Sequence, residues 1–197
     1  MKHIIIEGGD SLGKNTIIEA LCEYFNYDNI AIRHFGRPPT NLSPKATLDF
    51  QFNTFHKEAS FVNFIEENID NDEFEYFNNI IIWNRSHLGE YVYSTMFRGI
   101  TKKDVLMQLV KYEKTNFYNK DNTYLITLSA SPKFFLSQED GYSFSKNIKQ
   151  KTEELKLFKE IHILSSIKNK KLIKVNKELK FRDKNKIFKE IIEFINN

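Results

Sequence analysis

A chain of 197 residues is long enough to bury a core, and a hydrophobic share of 41% is that of an ordinary globular protein. With 29 basic against 26 acidic residues the net charge is +3, too balanced to support coating of nucleic acid by charge alone. The lone Cys22 excludes an internal disulfide, and no apolar run approaches the roughly 18 residues of a membrane span. The expectation is a soluble, cytoplasmic protein folded as a single domain over residues 1–197, with no membrane partner.

Short β-branched runs alternate with helical stretches along the chain. IIIE at 4–7 leads through EGGDSLGKNT, residues 7–16, into an amphipathic stretch over 15–25 that turns Cys22 inward. IAIR at 30–33 precedes the breaker-rich GRPPTNLSP, then a stretch carrying Phe50, Phe52 and Phe55, and a helical run over 56–69. IIIW at 80–83 ends in Asn84, Arg85 and Ser86 and is followed by helical runs over 87–97 and 102–117. NKDN at 119–122 precedes the next strand, YLITL at 124–128, and so does not supply the guanine-reading motif of a GTPase. After SASP come a helical run over 144–164, LIKV at 172–175 and a last helix over 184–195.

That alternation predicts an α/β fold, a three-layer α/β/α arrangement of five parallel strands. The strands are near-continuous apolar runs, the pattern of strands covered on both faces. Breakers follow the second and fourth strands, so the carboxyl ends of the strands are the expected active edge.

Gly8, Gly13 and Lys14 satisfy GxxxxGK between a strand and a helix, the context that a phosphate-cradling loop needs. The expected phosphate ligands are Gly8, Gly9, Ser11, Leu12, Gly13, Lys14, Asn15 and Thr16: backbone amides and a helix N-terminus around anionic oxygens, with Lys14 on the transferred phosphoryl group. Asn15 stands where a serine or threonine usually ligates magnesium; its amide oxygen is a weaker metal ligand.

The fuller spelling ExxDxxGKxT, from Glu7, Asp10, Gly13, Lys14 and Thr16, resembles the phosphate loop of the thymidylate kinases, EGxDGxGKxT. The later NRSHLGEYVYS and Arg98-Gly99 are similar to deoxynucleoside monophosphate kinases carried by bacteriophages, with Asn84 for the usual acid and Phe97 for the usual tyrosine. The resemblance implies ATP and Mg2+ as cofactors, a deoxynucleoside monophosphate such as dTMP as substrate, a helical lid, a possible homodimer and, for a phage-encoded chain, the host cytoplasm. It implies catalytic roles for Lys14, for Asp10 on the acceptor deoxyribose and for Arg85 on the acceptor phosphate.

Arg33 and Arg37 follow the second strand where such kinases hold the acceptor phosphate. No carboxylate lies between Asp28 and Asp49 to deprotonate an alcohol, which favours an acceptor that is already anionic. Phe52 or Phe55 is expected over the base, and Glu90, Tyr91 and Tyr93 near sugar and base. The lid is expected over about 132–152; it has no arginine, so Lys146, Lys149 and Lys151 are its nearby cations apart from Lys133, with Gln138 in the usual arginine position.

Two other readings stay open. One is a kinase of a hydroxymethylated base, alone or within DNA, with Asp10 or Glu90 as the base for a hydroxyl acceptor. The other is a non-catalytic nucleotide-binding protein, motivated by Asn15, Asn84 and the arginine-free lid.

Overall fold

The computed structural model describes residues 1–68, 79–117 and 120–196. Its strands are β1 (Lys2–Glu7), β2 (Ile30–His34), β3 (Ile80–Asn84), β4 (Thr123–Ser129) and β5 (Asn169–Lys174), with a short hairpin of β6 (Asn176–Lys177) and β7 (Lys180–Phe181). Its helices are α1 (Lys14–Phe25), α2 (Pro44–Glu67), α3 (Leu88–Phe97), α4 (Lys102–Asn116), α5 (Pro132–Ser137), α6 (Ile148–Leu164) and α7 (Lys184–Asn196). The helix expected to reach Ile69 ends at Glu67, and both Ile69 and Asn119 of NKDN lie outside the described residues.

The first five strands form one parallel sheet in the order β2-β3-β1-β4-β5. Side chains alternate across it as a period of two demands. Ile4 and Ile6 of β1 join Ile82 and Ile126 against α1 and α7, while Ile5 joins Trp83 and Leu125 against α2, α4 and α6. Helices therefore cover both faces. The central strands are buried but for Lys2, Tyr124 and Ser129, which are half-buried, whereas the edge strands are not: Ile32 of β2 and Leu172 of β5 are exposed, because an edge strand has a neighbour on one side alone.

The breakers read in the sequence have a second use. Ser43 and Ser131 cap α2 and α5 by accepting from the Ala46 and Phe134 N–H groups, with Pro44 and Pro132 at the first helical position. The connection that leaves β1 runs to β2 on one side and the connection that leaves its neighbour β4 runs to β5 on the other, so the crevice above the carboxyl ends of β1 and β4 is the switch point of the sheet. No helix among the described residues is long and apolar enough to cross a membrane.

The back of the sheet is pinned by Glu66 on α2, whose carboxylate meets His3 Nε2 at 2.9 Å and also pairs with Lys120. Burial pushes the Glu66 carboxyl up, but hydrogen bonds from His3 and Lys120 outweigh it and hold the group at about 2. A carboxyl depressed in the folded state stabilises above its unfolded value near 4.5 and loses that contribution as pH falls toward 2. Glu66→Gln is thus expected to lower Tm at neutral pH and to flatten the fall of Tm between about pH 5 and pH 2. Equal acid limbs for the two proteins in pH-resolved thermal melts would contradict this.

Candidate active site

β1 ends at Glu7, and the backbone from Gly8 to Gly13 wraps back to start α1 at Lys14. Gly8 has φ +136°, and a Cβ there would lie 2.8 Å from the Leu128 carbonyl oxygen at the end of β4. A Cβ on Gly9 would lie 2.8 Å from Phe135 Cε1 of α5, closer still to Phe135 Cζ, and 3.0 Å from Glu154 Oε1 of α6. The loop has no room for side chains at either position.

Lys14 is buried, and its ammonium folds back to donate to the Gly8 and Gly9 carbonyls at 2.7 Å each. Two of its three protons are used in this way, and one is left for a ligand. Burial pushes Lys14 down; the carboxylates of Asp10, Glu7 and Glu154 oppose that shift and the Arg85 guanidinium adds to it. Glu7 moves the other way: burial pushes it up, against the pull of Lys14 and hydrogen bonds from the Gly89 and Ser86 backbone N–H groups. Its Oε1 is buried without a partner.

Arg85 follows β3, and its Nη2 meets Asp10 Oδ1 at 2.7 Å. Two residues far apart in sequence thus become one ion pair at the mouth of the loop. The Arg85 backbone is left-handed, φ +57°, a conformation that costs a residue with a Cβ roughly 1–2 kcal/mol. Such strain persists only where the surroundings over-determine it.

Asp10 and Arg85 form one wall of a small cavity that Arg37, Glu90, Phe55 and Tyr93 also line. Arg37 lies 4.5 Å over the Phe144 ring and donates to the Tyr142 carbonyl, so the 138–147 loop between α5 and α6 rests on it. The same loop reaches the phosphate loop, where Ser11 Oγ donates to Asp140 Oδ2 at 3.3 Å. Glu90 accepts from the Ser94 hydroxyl at 2.9 Å and pairs with Arg98.

Several expected residues lie elsewhere. Tyr91 does not border this cavity; it donates to Glu160 at 2.6 Å and lies beside Lys102 at the start of α4. Phe52 is core, edge-on to Phe55 and Tyr112; it is Phe55 that borders the cavity. Arg33 pairs with Glu58 at 3.3 Å and lies over Phe61, on the outer side of β2. Lys146 is held by Glu139 at 3.3 Å and by the Gly141 carbonyl, and Lys149 is exposed. Lys151, by contrast, is fully buried, 2.7 Å from Glu139 and 4.0 Å from the Phe135 ring centre.

Glu154 and Arg98 carried no assignment in the sequence. Glu154 packs behind Gly9, accepts from Tyr93 at 2.9 Å and is pushed up by burial. Helical spacing offered one usable signal: Tyr93 stands three residues after Glu90 and four after Gly89, which puts all three on one face and Tyr91 off it.

The other side of the phosphate loop opens onto a larger cavity of about 570 Å³, bounded by Gly13 and Thr16, by Ile17 and Tyr24 of α1, and by Phe181 and Arg182 of the hairpin region. Apolar walls with a guanidinium at the rim suit a flat heterocycle whose phosphates extend toward the loop. The hairpin residues had no motif to mark them.

For a hard cation the relevant donors are oxygens. Asn84 Nδ2 donates to Asn15 Oδ1 at 3.4 Å, which turns two amides toward each other, and Asn84 Oδ1 is buried without a partner. Among the described residues no group of three or more His, Cys, Asp or Glu side chains is arranged to hold a metal. Neutral amide oxygens of this kind fit a magnesium ion held mainly by phosphates and water.

No protein-family model matches this sequence, and no curated protein sequence matches it. Solved structures do. Thymidylate kinase from Ehrlichia chaffeensis aligns over 100% of this chain and 98% of its own, with TM-score 0.59 and 13% identity. Thymidylate kinase from Candida albicans aligns over 99% of this chain and 91% of its own, with TM-score 0.65 and 14% identity. The chain has a thymidylate kinase-like, three-layer α/β/α fold.

Proposed function

We propose that this protein is an ATP-dependent kinase that phosphorylates a deoxynucleoside monophosphate, dTMP or a similar nucleotide, to the diphosphate. The observation that carries the reading is the phosphate loop standing between two cavities, the larger at Gly13 and Thr16, the smaller at Gly8, Asp10 and Arg85. A donor nucleotide in the first and an acceptor in the second would meet at Lys14. The fold shared with two thymidylate kinases supports the same reading.

In this reading the loop amides hold the donor phosphates, and Lys14 neutralises charge on the transferred group. Arg85 turns its planar fork to the acceptor phosphate, Arg37 closes the pocket from the β2 side, and Asp10 accepts from the sugar hydroxyl. Phe55, Tyr93 and Glu90 border the sugar and base. Asn15 and Asn84 would be the amide side chains nearest a magnesium ion brought in with the phosphates, and that ion would supply further charge neutralisation. A hydroxyl acceptor fits less well, since Asp10 and Glu90, the two carboxylates expected as its base, are tied to arginines.

The test is ADP release from ATP and Mg2+ against each deoxynucleoside monophosphate. Turnover with at least one of them is expected. Tight nucleotide binding with no turnover on any monophosphate would overturn the reading in favour of a non-catalytic role, and turnover confined to DNA would select the hydroxyl acceptor.

A further inference from the structure

Arg85 can act as a clamp only if its strained turn is held, and the structure shows a chain of buried side chains leading from that turn into the core. Ser86 Oγ lies 2.9 Å from His87 Nδ1, and His87 Nε2 lies 2.9 Å from Glu113 Oε1 of α4. Glu113 also accepts from Ser165 Oγ at 2.7 Å, from the Ser166 N–H at 2.6 Å and from Ser166 Oγ at 2.7 Å. His87 and Glu113 are 0% exposed and Ser86 3%. Ser86 borders the small cavity beside Arg85, whereas Ser165 and Ser166 follow the far end of α6.

We propose that Ser86, His87 and Glu113 form a brace that fixes the Arg85 turn in its phosphate-binding conformation, with His87 and Glu113 as positioning residues. The proposal rests on the kinase reading, in which Arg85 binds the acceptor phosphate.

Three observations support it. Burial pushes the Glu113 carboxyl up, but hydrogen bonds from His87, Ser165 and Ser166 more than offset this and hold it below its ordinary value, so it acts as an acceptor. Glu113 therefore takes the proton that His87 Nε2 carries, and the other ring nitrogen, Nδ1, is left to the Ser86 hydroxyl. A buried ionisable pair is a poor way to gain stability compared with apolar packing, so its place two residues from a strained arginine is better explained by orientation. The Arg85 and Ser86 backbones are pinned from the other side as well, by the Ile6 carbonyl at 3.3 Å and by the Glu7 carboxylate. With both sides held, the turn has little freedom to relax toward ordinary dihedrals.

The experiment compares wild type with Glu113→Gln, His87→Asn and Ser86→Ala, each also combined with Arg85→Ala. KM for the acceptor, KM for ATP, kcat and Tm are measured, together with the exchange of the His87 ring N–H by proton NMR. The wild-type ring N–H is expected to exchange slowly, and more quickly in Glu113→Gln. The single variants are expected to raise acceptor KM about tenfold or more with ATP KM within about twofold, and to add nothing once Arg85 is alanine. Ser86→Ala leaves the buried pair in place, so its effect does not depend on the other two variants folding. Equal changes in both KM values, an undiminished effect in the Arg85→Ala background, or no kinetic change would overturn the brace alone. Absence of wild-type turnover on every monophosphate would overturn the kinase reading and the brace with it.

Discussion

Replacing Lys14 by alanine is expected to lower the turnover of phosphoryl transfer by about 10²–10³-fold, the loss typical of removing one preorganised charge at a reaction centre. The ammonium is buried, and its two bonds to the Gly8 and Gly9 carbonyls aim it across the loop. Charge that develops on a transferred phosphoryl group would be met there by a cation already stripped of most of its water. In the variant the two carbonyls lose that partner, and Glu7, whose ionised form Lys14 helps to sustain, is left with burial less opposed. ATP affinity should weaken less than kcat falls, because the loop amides remain. Lys14→Arg is expected to fail as a rescue, since a planar fork cannot enter the space the ammonium fills. Steady-state ADP release beside thermal melts checks this; equal turnover by wild type and a folded Lys14→Ala protein would remove the proposed site.

The second large effect is on stability. Gly9→Ala would thrust a Cβ against Phe135, whose ring is fully buried on α5 and already touches Lys151, and against Glu154 from α6. None of these groups is free to swing into solvent. Overpacking of this kind costs about 1–3 kcal/mol, or about 2–12 °C in Tm for a chain of this size. Shortening the ring by Phe135→Leu in the same chain should recover part of the loss, because the two changes share one contact and couple. Melts of the single and double variants that simply add would show that Gly9 is constrained by something other than Phe135.

The fold was largely legible because its signal is local. Five apolar runs separated by helical periodicity leave few arrangements other than a covered parallel sheet, and each run became a strand. The strand–turn–helix loop from Glu7 to Lys14 was legible for a related reason: the phosphate-cradling role proposed for it would lie in consecutive backbone groups, whose spacing is written in the chain. Arg37 and Arg85 were marked by following strands at the active edge, and both border the small cavity.

Residues whose place depends on helix rotation were harder to assign. Tyr91 and Tyr93 are two positions apart, close to opposite sides of α3, and which one meets the cavity depends on how α3 rests on α6. Phe52 and Phe55 posed the same choice on α2; both pack against Tyr112 in the core, and Phe55 also borders the small cavity. The lysines expected on a lid were hard to assign for an electrostatic reason: Glu139 gathers Lys146 and Lys151, which no count of cations reveals.

By itself the sequence determined the order of the five sheet strands, the glycine-rich loop with Asp10 and Lys14 after the first of them, and the two neutral amides, Asn15 and Asn84. Tertiary structure alone decided that Asp10 pairs with Arg85, that Asn15 faces Asn84 and that His87 and Glu113 share a buried bond. The physical reason is range. Backbone turns and helix periods are set by neighbours in the chain, whereas an ion pair or a hydrogen bond across elements exists only after the sheet has brought their ends together.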